Sequence, residues 1–294
     1  MKILLTGSSG FLGKYFLLHL GKDTITLNRT NSTIICDLSV EVPKFNTSFD
    51  VVIHNAGKAH FIPRSYEDEK IIYQTNVIGT QNLLIGLSNI LPKHFVYISS
   101  VSVYGLNEGC NINEDTPLLA IDSYGKSKIE AENIVLNWCH ENNVICTIFR
   151  LPLVVGNNPP GNLGSMIKGI KKGYYFNIAG GNARKSMVLA NDIASFVLKA
   201  AKVGGTYNLT DGYHPSFKEL SYNLTNQLNR SYVPNMPYFI AKVLAQLGTI
   251  FGKYSPLNLV KLQKITSTLT FDDTKARESF GWKPTQVLKD FKLF

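Results

Sequence analysis

The sequence predicts an α/β fold with a doubly wound parallel sheet, followed by a smaller C-terminal portion. Short apolar segments alternate with helical patterns through residues 1–155, and a glycine-rich turn joins the first segment to the first helix. After Gly156 the pattern is less regular, with Pro159-Pro160-Gly161 and scattered glycines. We therefore expect a dinucleotide-binding domain at 1–155 and a mainly substrate-binding portion at 156–294, with part of 187–210 returning to the sheet.

Composition limits the classes of function. With 294 residues, 44% of them hydrophobic, the chain can bury a large core. The net charge of +9 suits anionic ligands, and the lack of a dense Lys/Arg run argues against nucleic acid. The four cysteines show no CxxC spacing, so neither a metal site nor disulfides are expected. With no leader-like start and no long apolar stretch, we expect a cytoplasmic protein without stable membrane insertion.

The first strand and helix flank the glycine-rich turn. The strand covers residues 2–6, the turn runs from Gly7 through Gly10 to Gly13, and a helical pattern follows. Gly7 permits the turn, Gly10 lets the backbone approach a pyrophosphate, and Gly13 lets helix and strand pack closely. This is the Rossmann-type arrangement, and it predicts a bound dinucleotide.

The second and third strands indicate which dinucleotide is bound. The second is expected at 24–27 and is followed by Asn28-Arg29-Thr30, without the acidic residue that usually binds an NAD ribose. Arg29 could pair with the 2′-phosphate of NADP(H), so NADP(H) is favoured over NAD(H); the alternative is a solvated loop arginine. Asp37, after a third strand ending near residue 35, could accept a hydrogen bond from the adenine amino group.

The remaining elements continue the alternation. We expect strands at 51–53, 95–98 and 145–149, and helices at 66–87 and 124–138. A further helical segment, 238–251, is apolar around most of its circumference. Packing against the body of the protein is the favoured interpretation, and contact with a partner or a membrane surface is the alternative.

Tyr124 and Lys128 stand four residues apart and would share one face of a helix. A nearby ammonium can lower the pKa of a phenol that exchanges protons near neutral pH. By itself this YxxxK spacing is a weak signal, typical also of ordinary surface helices. Ser100, at the carboxyl end of the fifth strand, could hold a substrate oxygen, and Ser102 is the alternative serine.

Taken together, these motifs resemble the extended short-chain dehydrogenase/reductase superfamily. The resemblance spans nearly the whole chain and includes His54-Asn55-Ala56-Gly57 and the asparagine of Asn76-Val77-Ile78-Gly79-Thr80. It implies that Tyr124 is the proton donor or acceptor, that Lys128 lowers the pKa of Tyr124 and holds the nicotinamide ribose, and that Ser100 binds the same oxygen. The implied cofactor contacts are Gly7, Ser9, Gly10, Phe11, Leu12, Gly13, Asn28, Arg29, Asp37, Leu38, Asn55, Ala56, Gly57, Asn76, Tyr124, Lys128 and Pro152.

The second half resembles enzymes of nucleotide sugars, which implies a UDP-sugar substrate. In that pattern Asn162 reaches the diphosphate and Arg184 or Lys185 neutralises it, with Ser100, Ser102 and Tyr124 at the sugar. The tail around Trp282 resembles the closing segment of these enzymes, and we expect Trp282 to pack this segment rather than stack on uracil. We also expect a homodimer.

Three reactions share this machinery: 4-keto reduction, C4 epimerisation and 4,6-dehydration. A dehydratase of this family carries an acidic pair after the strand-end hydroxyl, where this chain has Val101 and Ser102, so dehydration is disfavoured. Arg29 favours NADPH and therefore a reductase, and the whole arrangement most resembles enzymes of surface-polysaccharide synthesis that reduce a UDP-4-keto-6-deoxy-N-acetylhexosamine, the UDP-N-acetylquinovosamine dehydrogenase type. The alternative is a UDP-sugar C4-epimerase with tightly bound NAD, and a non-catalytic nucleotide sensor is a remote one.

Overall fold

A computed structural model describes residues 1–59, 63–250 and 257–293. Its centre is a seven-stranded parallel sheet with the strand order β11-β7-β5-β4-β1-β2-β3. The strands are β1 (Ile3–Thr6), β2 (Ile25–Asn28), β3 (Ile34–Ile35), β4 (Val51–His54), β5 (His94–Ser100), β6 (Gly109–Ile112), β7 (Ile145–Leu151), β8 (Leu153–Val155), β9 (Asn177–Ile178), β10 (Met187–Leu189), β11 (Gly205–Asn208), β12 (Asn235–Met236) and β13 (Leu269–Phe271). The predicted doubly wound fold is confirmed.

Helices cover both faces of this sheet. They are α1 (Phe11–Leu20), α2 (Tyr66–Tyr73), α3 (Gly79–Leu87), α4 (Ser123–Glu141), α5 (Gly161–Lys172), α6 (Ala190–Val203), α7 (Phe217–Gln227), α8 (Tyr238–Ile250), α9 (Leu259–Thr266), α10 (Thr274–Phe280) and α11 (Val287–Asp290). In the described part of the chain, no helix combines the length and apolar character needed to cross a bilayer.

The strands alternate their side chains between two cores, as the pleat requires. Ile3 and Leu5 of β1 join the core that α1, α6 and α10 cover. Leu4 of β1 and Val52 of β4 join the opposite core, which α3 and α4 cover. Because both faces are buried, the strands are continuously apolar rather than alternating, and this is why short apolar runs located them.

The helix expected at 66–87 is interrupted. Five residues, Gln74–Ile78, form a π-helical turn between α2 and α3. Single π turns of this kind occur often at functional sites. This one contains the buried Asn76, and it sets the direction in which the Asn76 side chain points toward α4.

The C-terminal half contributes both to the sheet and to a separate core. β11 pairs in parallel with β7 at the edge of the large sheet. α5, α7 and α11 enclose another apolar cluster with β8 and β10. Trp282 is 2% exposed and donates from Nε1 to the Thr210 carbonyl at 3.0 Å, so its expected anchoring role is confirmed. The domain division at residues 155 and 156 stays a prediction.

Helix α8 departs from the favoured expectation of simple packing. The residues that it buries against the body are small: Ala241 and Ala245 are fully buried, whereas Phe239 and Val243 are exposed by 68% and 53%. The helix packs through its narrow side because small residues allow close approach to Leu262 of α9. Phe251, the last residue of the expected helix, lies outside the described residues.

Candidate active site

The glycine-rich turn between β1 and α1 is tightly folded and open on one side. Gly7 has φ +68°, and a Cβ there would lie 2.7 Å from the Ala56 backbone. A Cβ on Gly13 would overlap the carbonyl oxygen of Gly7, whereas one on Gly10 would meet only that oxygen, at 3.2 Å. Ser9 and Gly10 are exposed at the start of α1. The turn therefore leaves room for a pyrophosphate beside the helix N-terminus, so these residues fit a dinucleotide.

The neighbouring residues of the turn have structural contacts. Phe11 stacks edge-on against Tyr15, with ring centroids 5.8 Å apart, and Leu12 is buried in the core. Asn55 donates from Nδ2 to the Gly7 carbonyl at 2.9 Å, and the Ala56 amide donates to Thr6 Oγ1 at 3.1 Å. These bonds fix the end of β4 against the turn.

At the end of β2, two candidate cofactor residues have different surroundings. Asn28 is 9% exposed and donates from Nδ2 to Ser8 Oγ at 2.7 Å, which ties β2 to the turn. Arg29 is exposed, and its guanidinium makes no hydrogen bond or ion pair within the described residues. The guanidinium is thus available for a phosphate.

The two candidates after β3 have local partners. Asp37 Oδ1 accepts from the Ser39 amide and hydroxyl at 3.1 and 2.7 Å. Leu38 is 7% exposed, and its carbonyl accepts from Asn82 Nδ2 at 2.8 Å. The Leu38 side chain belongs to the core, so any contact it makes with a ligand would come from its backbone.

Lys128 is held on α4 with its ammonium inside the protein. The helix begins at Ser123, where Asp122 accepts from the Gly125 amide at 3.0 Å. Lys128 is 5% exposed, and its Nζ donates to the Ile98 carbonyl at 2.9 Å and to the Tyr97 hydroxyl at 3.2 Å. Burial lowers the pKa of Lys128 to about 8, against the opposing charge of Glu132.

Tyr124 lies one turn before Lys128 and is half-buried. Burial raises its pKa to about 12, while a hydrogen bond with Ser100 acts in the opposite direction. The expected lowering of this pKa by Lys128 is therefore wrong for the protein alone, because desolvation of the phenolate outweighs the other contributions. Tyr124 keeps its proton at neutral pH.

Asn76 connects the π turn to α4. Its Nδ2 donates to Ser127 Oγ at 2.9 Å, and its Oδ1 accepts from the Lys58 amide at 2.7 Å. Ser127 Oγ in turn donates to the Tyr124 carbonyl at 2.7 Å. A Cβ on Gly57 would lie 3.2 Å from Asn76 Oδ1 and 3.3 Å from Lys128 Nζ. The structure thus brings Gly57, Asn76 and Lys128 together beside Tyr124.

A buried chain of polar groups behind Lys128 escaped the sequence analysis. The Tyr97 hydroxyl contacts Thr80, whose Oγ1 lies 2.9 Å from His54 Nε2, and His54 Nδ1 lies 2.7 Å from Thr6 Oγ1. Burial lowers the pKa of His54 to about 3, so the ring is neutral. A tyrosine three residues before Ser100 was the available signal, but in a buried strand it is typical of an ordinary core residue.

The candidate substrate residues Ser100, Ser102 and Asn162, and the candidate cofactor residue Pro152, divide into two groups. Ser102 donates its backbone amide to Ser100 Oγ at 3.2 Å and lies in the short 3₁₀ turn Val101–Tyr104. Pro152 separates β7 from β8, and Asn162 is exposed in the first turn of α5. Among the described residues, no hydrogen bond or ion pair links Pro152 or Asn162 to Tyr124.

Arg184 and Lys185, the candidate diphosphate residues, differ in availability. Arg184 Nη1 donates to the His214 carbonyl at 2.9 Å, and its Nη2 lies 3.5 Å from Glu219. The Lys185 ammonium has neither a hydrogen bond nor an ion pair within residues 1–59, 63–250 and 257–293, and burial together with the Lys264 charge lowers its pKa to about 8. Lys185 is therefore the freer cation of the two.

Comparison with known proteins identifies the family. Residues 3–210 match the profile of the NAD dependent epimerase/dehydratase family. The chain belongs to this family. As a member, it is an enzyme of the short-chain dehydrogenase/reductase type that acts on nucleotide sugars.

Among family members, a Vibrio cholerae UDP-glucose 4-epimerase is 28% identical over 98% of this chain and 92% of its own length. An Escherichia coli O157:H7 N-acetyl-alpha-D-glucosaminyl-diphospho-ditrans,octacis-undecaprenol 4-epimerase is 30% identical over 71% of this chain and 66% of its own. A solved UDP-galactose 4-epimerase superposes with a TM-score of 0.74 at 20% identity, covering 100% of this chain and 98% of that one. RMD from Pseudomonas aeruginosa, solved with NADPH, superposes with a TM-score of 0.71 at 22% identity, covering 99% of this chain and 96% of that one. The two solved structures support the fold.

Proposed function

We propose that this enzyme reduces the 4-keto group of a UDP-4-keto-6-deoxy-N-acetylhexosamine with NADPH, a step in surface-polysaccharide synthesis. The observation that carries the proposal is Arg29, an exposed and unpaired guanidinium at the end of β2 with no acidic residue beside it. A guanidinium there would attract a 2′-phosphate, and a carboxylate would repel it.

The side chains of the site are suited to donating a proton to the C4 oxygen while that carbon is reduced. Tyr124, whose pKa is about 12, would donate its proton to the C4 oxygen, and Ser100 would hold that oxygen by a hydrogen bond. Gly7, Gly10 and Gly13 would hold the dinucleotide, which supplies a hydride to C4 when bound. Lys128 would then stabilise the phenolate that remains. Val101 and Ser102 provide no carboxylate for removing water.

The second candidate is C4 epimerisation with retained NAD. Both sequence relatives described above are named 4-epimerases, and one of them matches 98% of this chain. In an epimerase Tyr124 would first accept a proton from the C4 hydroxyl and later return it. The two candidates therefore differ in two respects. A reductase exchanges its dinucleotide and acts on a 4-keto sugar, whereas an epimerase retains NAD and acts on a sugar with a C4 hydroxyl.

One assay separates the two candidates. Purified protein is incubated with NADPH and UDP-4-keto-6-deoxy-N-acetylglucosamine, and separately with UDP-N-acetylglucosamine without added dinucleotide. A reductase consumes NADPH in stoichiometric amounts with the first substrate and leaves the second unchanged. Conversion of the second to its C4 epimer, with NAD carried through purification, would support the epimerase instead.

Replacing Arg29 with alanine should weaken NADPH binding about tenfold or more and change NADH binding by less than about twofold. The reason is that Arg29 would pair with the 2′-phosphate, the group in which the two dinucleotides differ. Kd values from fluorescence titration of both dinucleotides provide the measurement. Lys22→Ala, which removes another exposed cation before β2, is the matched control. Equal losses for both dinucleotides would remove the argument for NADPH.

A further inference from the structure

The outward side of α8 is strongly apolar. We name the α8 outer face by five residues with their exposed fractions: Phe239 68%, Ile240 40%, Val243 53%, Leu244 45% and Leu247 51%. A helix at the surface of a soluble domain usually turns its large apolar residues inward and its polar residues outward. Here large apolar residues face outward, whereas the small residues Ala241 and Ala245 face the body. Large contiguous apolar patches of this kind mark interaction sites.

The stretch of sequence that contains α8 has basic residues and no acidic ones. Between residues 220 and 271 there is no aspartate or glutamate, whereas five basic residues occur: Arg230, Lys242, Lys253, Lys261 and Lys264. Lys242 lies on α8 itself and is exposed. The chain as a whole has 21 acidic residues, so their absence from this stretch is a local property. This stretch of chain is therefore basic, and a carboxylate found beside it, Glu108, lies 3.4 Å from Ser267 beyond the end of α9.

The α8 outer face belongs to a unit that is fixed beside the candidate diphosphate residue. Ala241 and Ala245 pack with Leu262 of α9 and with Ile178 of β9. The Gly180 amide, two residues after β9, donates to Asn235 Oδ1 of β12 at 2.7 Å. The charge of Lys264 on α9 reaches Lys185 and contributes to lowering its pKa. Lys185 also forms a parallel bridge with Leu269, three residues after α9, so the unit that carries the α8 outer face is joined to the chain at Lys185.

We propose that the α8 outer face docks on the surface of an anionic lipid bilayer. Such a surface would bind both the apolar and the basic residues. The apolar side chains would enter the boundary between headgroups and acyl chains, and the lysines would contact the anionic headgroups. A second copy of this chain fits less well, because it would bring a second stretch of the same positive charge against this one. The proposal does not depend on which sugar reaction the enzyme catalyses.

Vesicle flotation of the full chain tests the proposal. We expect binding to vesicles of phosphatidylcholine with phosphatidylglycerol, weaker binding to phosphatidylcholine alone, and release as salt is raised. The double variant Phe239→Ser/Leu247→Ser should lose about tenfold or more in apparent affinity. Lys242→Glu should lose about fivefold or more. The matched control is Leu18→Ser/Val203→Ser, whose sites are exposed by 79% and 49% and which should bind as the unmodified chain does.

Three outcomes would overturn the proposal. The first is no flotation with anionic vesicles, and the second is equal flotation of both double variants. The third is a dimer that the α8 variant converts to monomer in light scattering, since a second copy would then cover this face. Thermal unfolding, together with turnover of a water-soluble UDP-sugar, shows that each variant is folded. Failure of turnover in the unmodified chain would count against the proposed function alone.

Discussion

Replacing Tyr124 with phenylalanine should lower kcat/KM by about a hundredfold to ten-thousandfold, the usual contribution of a positioned proton donor. The change removes only the hydroxyl, while the ring and the backbone carbonyl that accepts from Ser127 Oγ at 2.7 Å remain. The dinucleotide turn is untouched, so the Kd for NADPH should change by less than about threefold. Steady-state kinetics and fluorescence titration measure the two quantities.

A matched control is available on the neighbouring helix. The Tyr73 hydroxyl donates to Glu130 of α4 at 2.8 Å, and Tyr73 is 41% exposed. Tyr73→Phe removes a hydroxyl bonded to the same helix but outside the cluster, and it should leave kcat/KM within about twofold. If Tyr124→Phe and Tyr73→Phe have the same activity, Tyr124 is not the proton donor.

Local patterns predicted the framework of this site well. The apolar runs located β1, β4, β5 and β7 because parallel strands covered on both faces are apolar throughout. The spacing of Gly7, Gly10 and Gly13 predicted the open turn, since each glycine meets a steric demand between nearby segments of chain. YxxxK placed Tyr124 and Lys128 on one helix. All these predictions depend on residues within a few positions of one another.

Contacts between distant elements could not be predicted in this way. Tyr97 meets Lys128 because β5 lies under α4, and Asn76 meets Ser127 because a π turn redirects its side chain. The pKa of Tyr124 depends on how completely the surrounding elements exclude water, which spacing does not report. The orientation of α8 could not be predicted either. It depends on how closely the helix approaches the body of the protein, and the small side chains of Ala241 and Ala245 permit the close contact.

Glu132→Ala should lower the free energy of unfolding by about 3–5 kcal/mol, because it leaves a buried guanidinium without its counter-ion. Glu132 and Arg150 form an ion pair at 2.8 Å, with side chains exposed by 1% and 8%. Glu132 also accepts from Ser99 Oγ, and Arg150 Nη1 donates to the Tyr104 hydroxyl at 3.2 Å. The pair thus joins α4 to β5 and β7 directly behind the candidate site. Urea unfolding followed by circular dichroism gives the measurement.

An exposed ion pair of similar length serves as the control. It distinguishes the effect of burying a charge from the effect of pairing it. Lys93 and Asp50 are 2.9 Å apart, with side chains exposed by 75% and 34%, so Lys93→Ala should lower the free energy of unfolding far less than Glu132→Ala does. The double variant Glu132→Leu/Arg150→Met removes both buried charges and should be more stable than Glu132→Ala, since the largest cost is the unpaired cation rather than the lost attraction. If Glu132→Ala lowers the free energy of unfolding no more than Lys93→Ala does, the Arg150 guanidinium must be hydrated once its carboxylate partner is removed. The position of α4, and with it that of Lys128, would then depend on apolar packing and on hydrogen bonds such as those from Lys128 to Ile98 and from Asn76 to Ser127.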